Sequence, residues 1–376
     1  MTHQDSWTTR LKNYIAEALP WTHGHQRKGI GTFVGAIIEK QSGIQAELAR
    51  GQGNQEAAVK RLSRLLHNAR LGPHRLADSV LAQALKQLPA QGTVRLAIDW
   101  TIETPHHLLV VSLVTGGRAV PIYWRAYDVG VLKGRMRRYE TAVIRRAITR
   151  VQRVTGKRRV IVTADRGFAD VALVDVLTAL GVEFILRVKG TTKVCWHDQW
   201  RKLHTVPFVG NARRRNLGRV AYCESAPHRL WVTLSRVRTT TGKWEIWYLI
   251  SNQSRRAKAT AAEYARRFGC EEGFRDIKWE LGFAQARITD IHAWSRLFAL
   301  FALALLAVVS LAMKLLVPGG ARAVALLRRV ASRRQGRWDL SLVSAMVALL
   351  KEDKSLFLYL SSHIKFNLNA HLAYVS

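Results

Sequence analysis

The segment from residue 160 to residue 168, Val-Ile-Val-Thr-Ala-Asp-Arg-Gly-Phe, is a short apolar run that ends in an aspartate. Its β-branched residues favour a strand, and the residues after it favour a turn. Residues 97–101, Ala-Ile-Asp-Trp-Thr, have the same form. Both segments therefore predict strands of one sheet, closed by Asp165 and Asp99. A single aspartate at a strand end is more often a turn-former, but two adjacent carboxylates need a cation between them, and Mg²⁺ prefers such oxygen ligands.

Strands and helices alternate around these two segments. Strands are predicted at residues 96–98, 107–114, 119–123, 160–162 and 183–188, with a turn at Gly116-Gly117. Helices are predicted at residues 138–154 and 171–180. This order describes a mixed sheet with helices packed against it, so the predicted fold class is α/β.

Residues 190–251 show no long helical period and are predicted to be all strand. The interval includes strands at 230–237 and 244–250, joined by a threonine-rich turn that ends at Gly242. A β insertion within the α/β core is the simplest account. Two of its tryptophans, Trp244 and Trp247, lie on the second of these strands. Buried tryptophans on a strand usually belong to the core.

The first 75 residues predict short helices separated by glycine-containing turns. In the helix predicted from residue 54 to residue 67, apolar residues share one face and Lys60, Arg61 and Arg64 share another. A DNA reader of the helix-turn-helix kind would place such a basic face in the major groove. An ordinary amphipathic helix with a solvated basic face remains the alternative.

Helices are predicted again from about residue 260 to the end of the chain, with a break at Pro318-Gly319-Gly320. Residues 297–313 are apolar apart from Ser310. A membrane span needs about 20 such residues. A fully buried core helix has the same composition, and we expect the core helix.

The chain of 376 residues has 48% hydrophobic residues and a formal net charge of +33. The hydrophobic content predicts folded domains, whereas such a charge is costly and is explained most simply by a polyanionic partner. Basic residues occur throughout the chain, which favours nucleic acid over an anionic membrane; a solvated basic surface is the alternative. The three cysteines form no CxxC pair, and the N-terminus lacks an apolar core, so we expect a reducing cytosol and no secretory signal.

A third acid is predicted on a helix from residue 264 to residue 278. At about 100° per residue, the residues within roughly 60° of one another are Tyr264, Arg267, Glu271 and Lys278. Glu272 falls outside this face, which favours Glu271 as the metal ligand. The face combines an acid with two cations and a phenol, as binding of a phosphate-bearing strand requires. The alternative is a solvated face on which Arg267 and Glu271 pair.

The spacing Tyr264-x2-Arg267-x3-Glu271-x6-Lys278 resembles the signature of a group of bacterial insertion-sequence transposases of the DDE class. Asp99 in Asp-Trp-Thr and Asp165 in Asp-Arg-Gly-Phe resemble the other two acid motifs of that group. The resemblance implies a ribonuclease H-like catalytic core with an all-β insertion. It also implies that Asp99, Asp165 and Glu271 are the catalytic metal ligands and that Tyr264, Arg267 and Lys278 grip the phosphates of the transposon end. The resemblance is compatible with a DNA hairpin intermediate, in which a base taken out of the stack could lie on an indole of the insertion, with Trp244 the first candidate and Trp247 the second.

The sequence therefore predicts a DNA transposase that cuts transposon ends and transfers them to target DNA by a cut-and-paste route. The alternative is a metal-dependent DNA nuclease without strand transfer. We expect two Mg²⁺ ions, replaceable by Mn²⁺, and double-stranded DNA of the terminal inverted repeats and the target as partner. We also expect a dimer in the synaptic complex, no membrane, and a location at the nucleoid of the bacterial cytoplasm.

The predicted domains are a helical DNA-binding region at residues 1–75, a ribonuclease H-like core at 90–290 that is interrupted by the β insertion at 190–251, and a helical C-terminal region at 291–376.

Overall fold

The computed structural model describes residues 3–103, 106–115, 118–225, 227–239, 242–334 and 337–366. The helices are α1 (His3–Ala18), α2 (Gly24–Lys40), α3 (Gln45–Ala49), α4 (Gln55–Leu66), α5 (Pro73–Lys86), α6 (Val129–Leu132), α7 (Met136–Thr155), α8 (Val171–Ala179), α9 (Ala257–Ala265), α10 (Phe268–Arg275), α11 (Ile291–Leu315), α12 (Gly320–Val330) and α13 (Leu342–Glu352). The strands are β1 (Val94–Glu103), β2 (His106–Thr115), β3 (Arg118–Asp128), β4 (Val160–Ala164), β5 (Glu183–Val188), β6 (Lys193–Trp196), β7 (Gln199–Lys202), β8 (Arg214–Tyr222), β9 (His228–Arg238), β10 (Trp244–Ser251), β11 (Arg333–Arg334) and β12 (Arg337–Trp338). The α/β class is confirmed, and the predicted Gly116-Gly117 turn lies outside the described residues.

The chain forms two compact units, each built from separate segments. The first unit comprises Met1–Gly92, Trp100–Gly134 and Gly269–Ser376, and the second comprises Thr93–Asp99 and Arg135–Phe268. Strand β1 and helix α10 each contribute residues to both units. The linear domain division stays a prediction, because compactness in space does not show which segment binds DNA.

The second unit contains most of the sheet, in the order β1-β4-β5-β10-β9-β8-β6-β7. Strands β1, β4 and β5 are parallel neighbours, and their apolar sequences suit strands buried on both faces. Strand β10 then pairs antiparallel with β5. The predicted strands of residues 190–251 are therefore present and extend the same sheet, while their assignment as an insertion stays a prediction.

Helix α11 is the central element of the first unit and packs against α2, α5, α13 and strand β3. It is long and apolar enough to cross a membrane, but 94% of its most apolar window is buried inside the protein. Its buried polar groups have partners: Arg296 donates to the carbonyl oxygens of Leu66 and Leu71 at 2.8 and 2.7 Å. Burial and internal hydrogen bonding favour the expected core helix over a membrane span.

Short N-terminal helices are confirmed at α3 and α4, with a turn at residues 50–53 between them, whereas α1 and α2 are longer than predicted, with 16 and 17 residues. Gly31 and Gly35 lie inside α2. A Cβ atom added to Gly31 would lie 3.2 Å from Cγ of Lys12, and one added to Gly35 would lie 3.3 Å from a methyl group of Leu11. These glycines therefore allow α1 and α2 to pack closely.

Candidate active site

Asp99 and Asp165 lie next to each other in register at the adjacent parallel strands β1 and β4 of the second unit, each directly after a residue of a paired position. Ile98 of β1 pairs with Ala164 of β4, and Asp99 and Asp165 come directly after them. Their side chains are partly exposed, at 23% and 34%. Asp165 ends its strand as predicted, whereas Asp99 does not, because β1 continues to Glu103. What ends before Asp99 is the pairing with β4.

Arg267 is the partner of Asp99. Its Nη1 donates to Oδ2 of Asp99 at 3.0 Å, and its side chain is only 4% exposed. A guanidinium removed from water to this extent needs an anionic partner, since desolvation costs several kcal/mol. The sequence motif around residue 267 and the first aspartate are thus joined by a charge-assisted hydrogen bond.

Tyr264 is the partner of Asp165. Its hydroxyl donates to Oδ1 of Asp165 at 3.3 Å, and Nη1 of Arg187 lies 4.0 Å from the same oxygen. Burial raises the pKa of the Tyr264 phenol well above its usual value, with Asp165 adding to the rise and Arg267 and Arg187 opposing it. The phenol therefore stays protonated and remains a hydrogen-bond donor.

Aromatic residues hold Tyr264 and Arg267 in place. The Trp247 ring lies 5.1 Å from the Tyr264 ring in an edge-on contact and 5.5 Å from the Phe268 ring. The Arg267 guanidinium lies 5.5 Å from the centre of the Phe268 ring. Tyr264 and Trp247 belong to one buried cluster with Leu249 of β10. Close packing of this kind restricts side chains to single positions, so the two donors are pre-organised toward the aspartates.

The single helix predicted from residue 264 to residue 278 was wrong. Helix α9 ends at Ala265, a turn holds Arg267, and α10 begins at Phe268. After α10 the chain follows a π-helical segment, Asp276–Glu280, in which the Leu281 N–H donates to the Asp276 carbonyl at 2.9 Å. The uniform angle of about 100° per residue does not apply across these breaks. Tyr264 and Arg267 are brought together by a turn and not by a helical face.

Of the two adjacent glutamates on α10, Glu272 has a structural role within the first unit. It accepts a hydrogen bond from Nη1 of Arg118 at 2.7 Å and another from Arg275, while Glu271 is exposed. The Arg118 side chain is only 2% exposed. Glu271 is therefore the accessible carboxylate of the pair. The reason is the contact of Glu272 with Arg118, and not the helical phase that was predicted.

Arg118 also lies beside Asp276, with 3.7 Å between its Nε and Oδ2 of Asp276. Burial raises the pKa of the Asp276 carboxyl to about 7, although Arg118 opposes the rise. The half-buried Lys278 follows in the π-helical segment. Gly273, on the same helix, is required by close packing, because a Cβ atom there would lie 2.1 Å from the carbonyl oxygen of Ala119. Arg118 and Gly273 therefore seat α10 on β3.

The predicted DNA-contacting residues outside this region are exposed. Trp244 is 60% exposed at the start of β10, with the Arg213 guanidinium 5.7 Å from its ring centre, whereas Trp247 is core. The side chains of Lys60, Arg61 and Arg64 on α4 are exposed as well. Lys60 pairs with Glu56 at 2.5 Å. Contact of these residues with DNA stays a prediction, as it does for Tyr264, Arg267 and Lys278.

The donor atoms available for a cation are carboxylate oxygens. Within the described residues, no group of three or more His, Cys, Asp or Glu side chains is close enough to hold a metal ion. Asp99 and Asp165 nevertheless supply partly exposed hard oxygen donors on adjacent strands, and such donors suit Mg²⁺. The donor set of the second unit is chemically compatible with this cation.

Sequence reasoning missed two arginines. Arg187 interrupts the otherwise apolar run of β5 and bonds to Glu245, and Arg118 is the first residue of β3. The sequence signal that could have found them is a charged residue within a buried strand, because buried charges occur almost only in pairs. That signal identifies Arg187 as a residue with an anionic partner but does not name the partner.

Comparison with known proteins gives one match. Residues 129–307 match the family model described as a transposase DDE domain. The matched segment contains Asp165 and Glu271 and begins after Asp99. No curated protein matches the chain. The family match supports a transposase of the DDE type, with DNA as its partner.

Proposed function

We propose that this protein is the DNA transposase of an insertion sequence, which cuts transposon ends and joins them to target DNA by a cut-and-paste route. The observation that carries the proposal is the pair of hydrogen bonds from Arg267 to Asp99 and from Tyr264 to Asp165. They link both predicted strand aspartates to residues of the helical motif. The transposase-domain match and the net charge of +33 support the same conclusion.

The ribonuclease H-like description of the core and the β insertion belong to this proposal. Asp99, Asp165 and Glu271 would hold two Mg²⁺ ions, or Mn²⁺ in their place. When bound, the ions supply a lowered pKa for an attacking hydroxyl and a stabilised leaving oxygen. Support for Glu271 comes from its spacing of four residues after Arg267 and from the engagement of Glu272 by Arg118.

The protein groups prepare the site for a phosphodiester. Two carboxylates near each other repel, and the hydrogen bonds from Arg267 to Asp99 and from Tyr264 to Asp165 offset part of this repulsion. Tyr264, Arg267 and Lys278 would then hold the phosphates of the transposon end. In the proposed reaction, the oxygen of water or of a DNA 3′-hydroxyl bonds to phosphorus as the bond to the leaving oxygen breaks. The same residues would serve cutting and strand transfer.

The finer expectations follow from this reaction. The exposed Trp244 would stack on an unpaired base of a hairpin intermediate, and Lys60, Arg61 and Arg64 would bind the terminal repeats. Synapsis of two ends would require two copies of the chain. Work on chromosomal DNA would place the protein at the nucleoid in the bacterial cytoplasm.

The test is a cleavage and strand-transfer assay with purified protein, Mg²⁺ and a duplex that carries the flanking inverted repeats. We expect Asp99→Asn, Asp165→Asn and Glu271→Gln each to lower both reactions by at least about a hundredfold. Glu272→Gln makes the matched change one residue away and should retain them. A wild-type rate in any of the three acid variants would remove that residue from the site. Cleavage without joined products would favour the nuclease alternative.

A further inference from the structure

Helix α7 exposes a face made of arginines. We call Arg138, Arg145, Arg146, Arg150 and Arg153 the α7 arginine face; it lines an open groove of about 670 Å³. The opposite side of the helix is buried, through residues such as Val143, Ile144 and Ile148. The acid of this helix, Glu140, is buried and pairs with Arg137, so it does not neutralise the face.

The α7 arginine face has few internal partners. Within the described part of the chain, Arg138, Arg145, Arg146 and Arg153 make no ion pair with an acidic side chain. The pKa of Arg150 lies below its usual value, because partial burial disfavours the charged form and Arg153 repels it. Like charges at such helical spacings destabilise a helix by a few tenths of a kcal/mol per pair. The stability of the fold therefore does not explain why these arginines share one face.

The chemistry of the face matches phosphate groups. Helix α7 contains six arginines and no lysine. Arginine presents a planar fork of donors that binds phosphate through two hydrogen bonds, which lysine cannot do. From Arg138 to Arg153 the face extends over about 22 Å of helix. B-DNA carries a phosphate charge for about every 1.7 Å of its axis, so a face of this length would follow about six base pairs.

We propose that the α7 arginine face binds the phosphate backbone of duplex DNA without regard to sequence. This surface shares no residue with those proposed to hold the transposon end. It would accept DNA outside the terminal repeats, either flanking or target DNA. An anionic membrane fits less well, because a membrane-bound amphipathic helix inserts its apolar face, and the apolar face of α7 is buried in the protein.

The test is equilibrium binding of a random-sequence duplex to the full chain, without divalent metal, over a range of salt concentrations. The face variant carries Arg138→Gln, Arg145→Gln, Arg146→Gln and Arg153→Gln. The matched control removes the same charge from exposed residues on separate elements: Lys28→Gln, Arg70→Gln, Lys86→Gln and Arg328→Gln. Glutamine is a good helix former, so the melting temperature of the face variant should not fall.

At about 0.9 counterions per phosphate contact, the loss of four contacts should lower the slope of log affinity against log salt by about 3.6, which weakens binding about four-thousandfold near 0.1 M salt. The control should change the slope by less than about 1. Replacing the same four residues with lysine should keep the slope while weakening binding, because the charge remains and the fork is lost.

Equal slopes for the face variant and the control would overturn the proposal. The proposal would also be overturned if the face variant lost binding to vesicles rich in phosphatidylserine while its DNA binding matched that of wild type. This binding is measured without divalent metal and without any cleavage of the duplex. A failure of the cleavage assay would therefore be distinguishable from a failure of this binding surface.

Discussion

Asp276 is a buried carboxylate, and replacing it with asparagine should remove a pH-dependent cost from folding. Its pKa rises from an ordinary value of 3.8 to about 7 because burial disfavours the charged form, and the Arg118 Nε at 3.7 Å does not offset this. Since the pKa is raised in the folded state, the favourable contribution is complete below pH 3.8 and is lost as the pH rises to about 7. At about 1.36 kcal/mol per pH unit, the loss is about 4 kcal/mol.

The wild type therefore loses stability as the pH rises and Asp276→Asn does not. The difference in free energy of unfolding, variant minus wild type, should increase by about 4 kcal/mol between about pH 4 and about pH 8. Urea denaturation followed by tryptophan fluorescence at several pH values measures this difference. Asp290→Asn is a matched control of opposite sign, because a hydrogen bond from the Ala293 N–H lowers the pKa of Asp290. That variant should lose stability relative to wild type as the pH rises. A constant difference between Asp276→Asn and wild type would refute the reasoning.

Four further substitutions test the packing around the proposed site. Arg267→Met should lower the free energy of unfolding by about 1.5–3 kcal/mol, since the partly exposed Asp99 loses a charge-assisted hydrogen bond; chemical denaturation measures this, and a neutral effect would contradict the assigned pair. Gly273→Ala should cost at least about 1–3 kcal/mol in the same assay, because its Cβ has no space against β3; wild-type stability would contradict the contact. Trp247→Ala should cost about 3–5 kcal/mol, whereas Trp244→Ala should leave stability nearly unchanged and weaken binding of hairpin DNA. Equal losses of stability in both tryptophan variants would show that Trp244 is core.

The α/β order was predictable because it depends on local patterns. The apolar runs before Asp99 and Asp165 are short and typical of strands, and the structure pairs them in parallel with Ile98 opposite Ala164. Neighbouring parallel strands place the residues that follow them side by side. Two sequence motifs were therefore enough to predict that these aspartates lie at adjacent strands, while their role as metal ligands stays a prediction.

The helical part was less predictable, because its geometry depends on distant contacts. The distinction between Glu271 and Glu272 comes from Arg118, which lies on β3 and far from them in sequence. No local period can reveal such a partner. The break around Arg267 likewise has no proline to announce it, and it places Arg267 where its guanidinium donates to Asp99. Composition alone predicts a regular helix here, and the structure shows a broken one.

The N-terminal helices show two roles of glycine. Gly51 and Gly53 lie in the predicted turn with positive φ, whereas Gly31 and Gly35 lie inside α2 and allow its close approach to α1. The two roles look the same in one sequence, because both follow from the absence of a side chain.

The central claim is that Asp99 and Asp165 form a metal-dependent site, and exchange of each carboxylate for a thiol tests it most directly. A thiolate is a poor ligand for Mg²⁺ and a better one for softer cations, toward which Mn²⁺ lies closer. Strand cleavage by Asp99→Cys and Asp165→Cys should be lost in Mg²⁺ and recovered in Mn²⁺, relative to wild type in each metal. Cleavage by either variant at the wild-type rate in Mg²⁺, or no recovery of either in Mn²⁺, would contradict the claim.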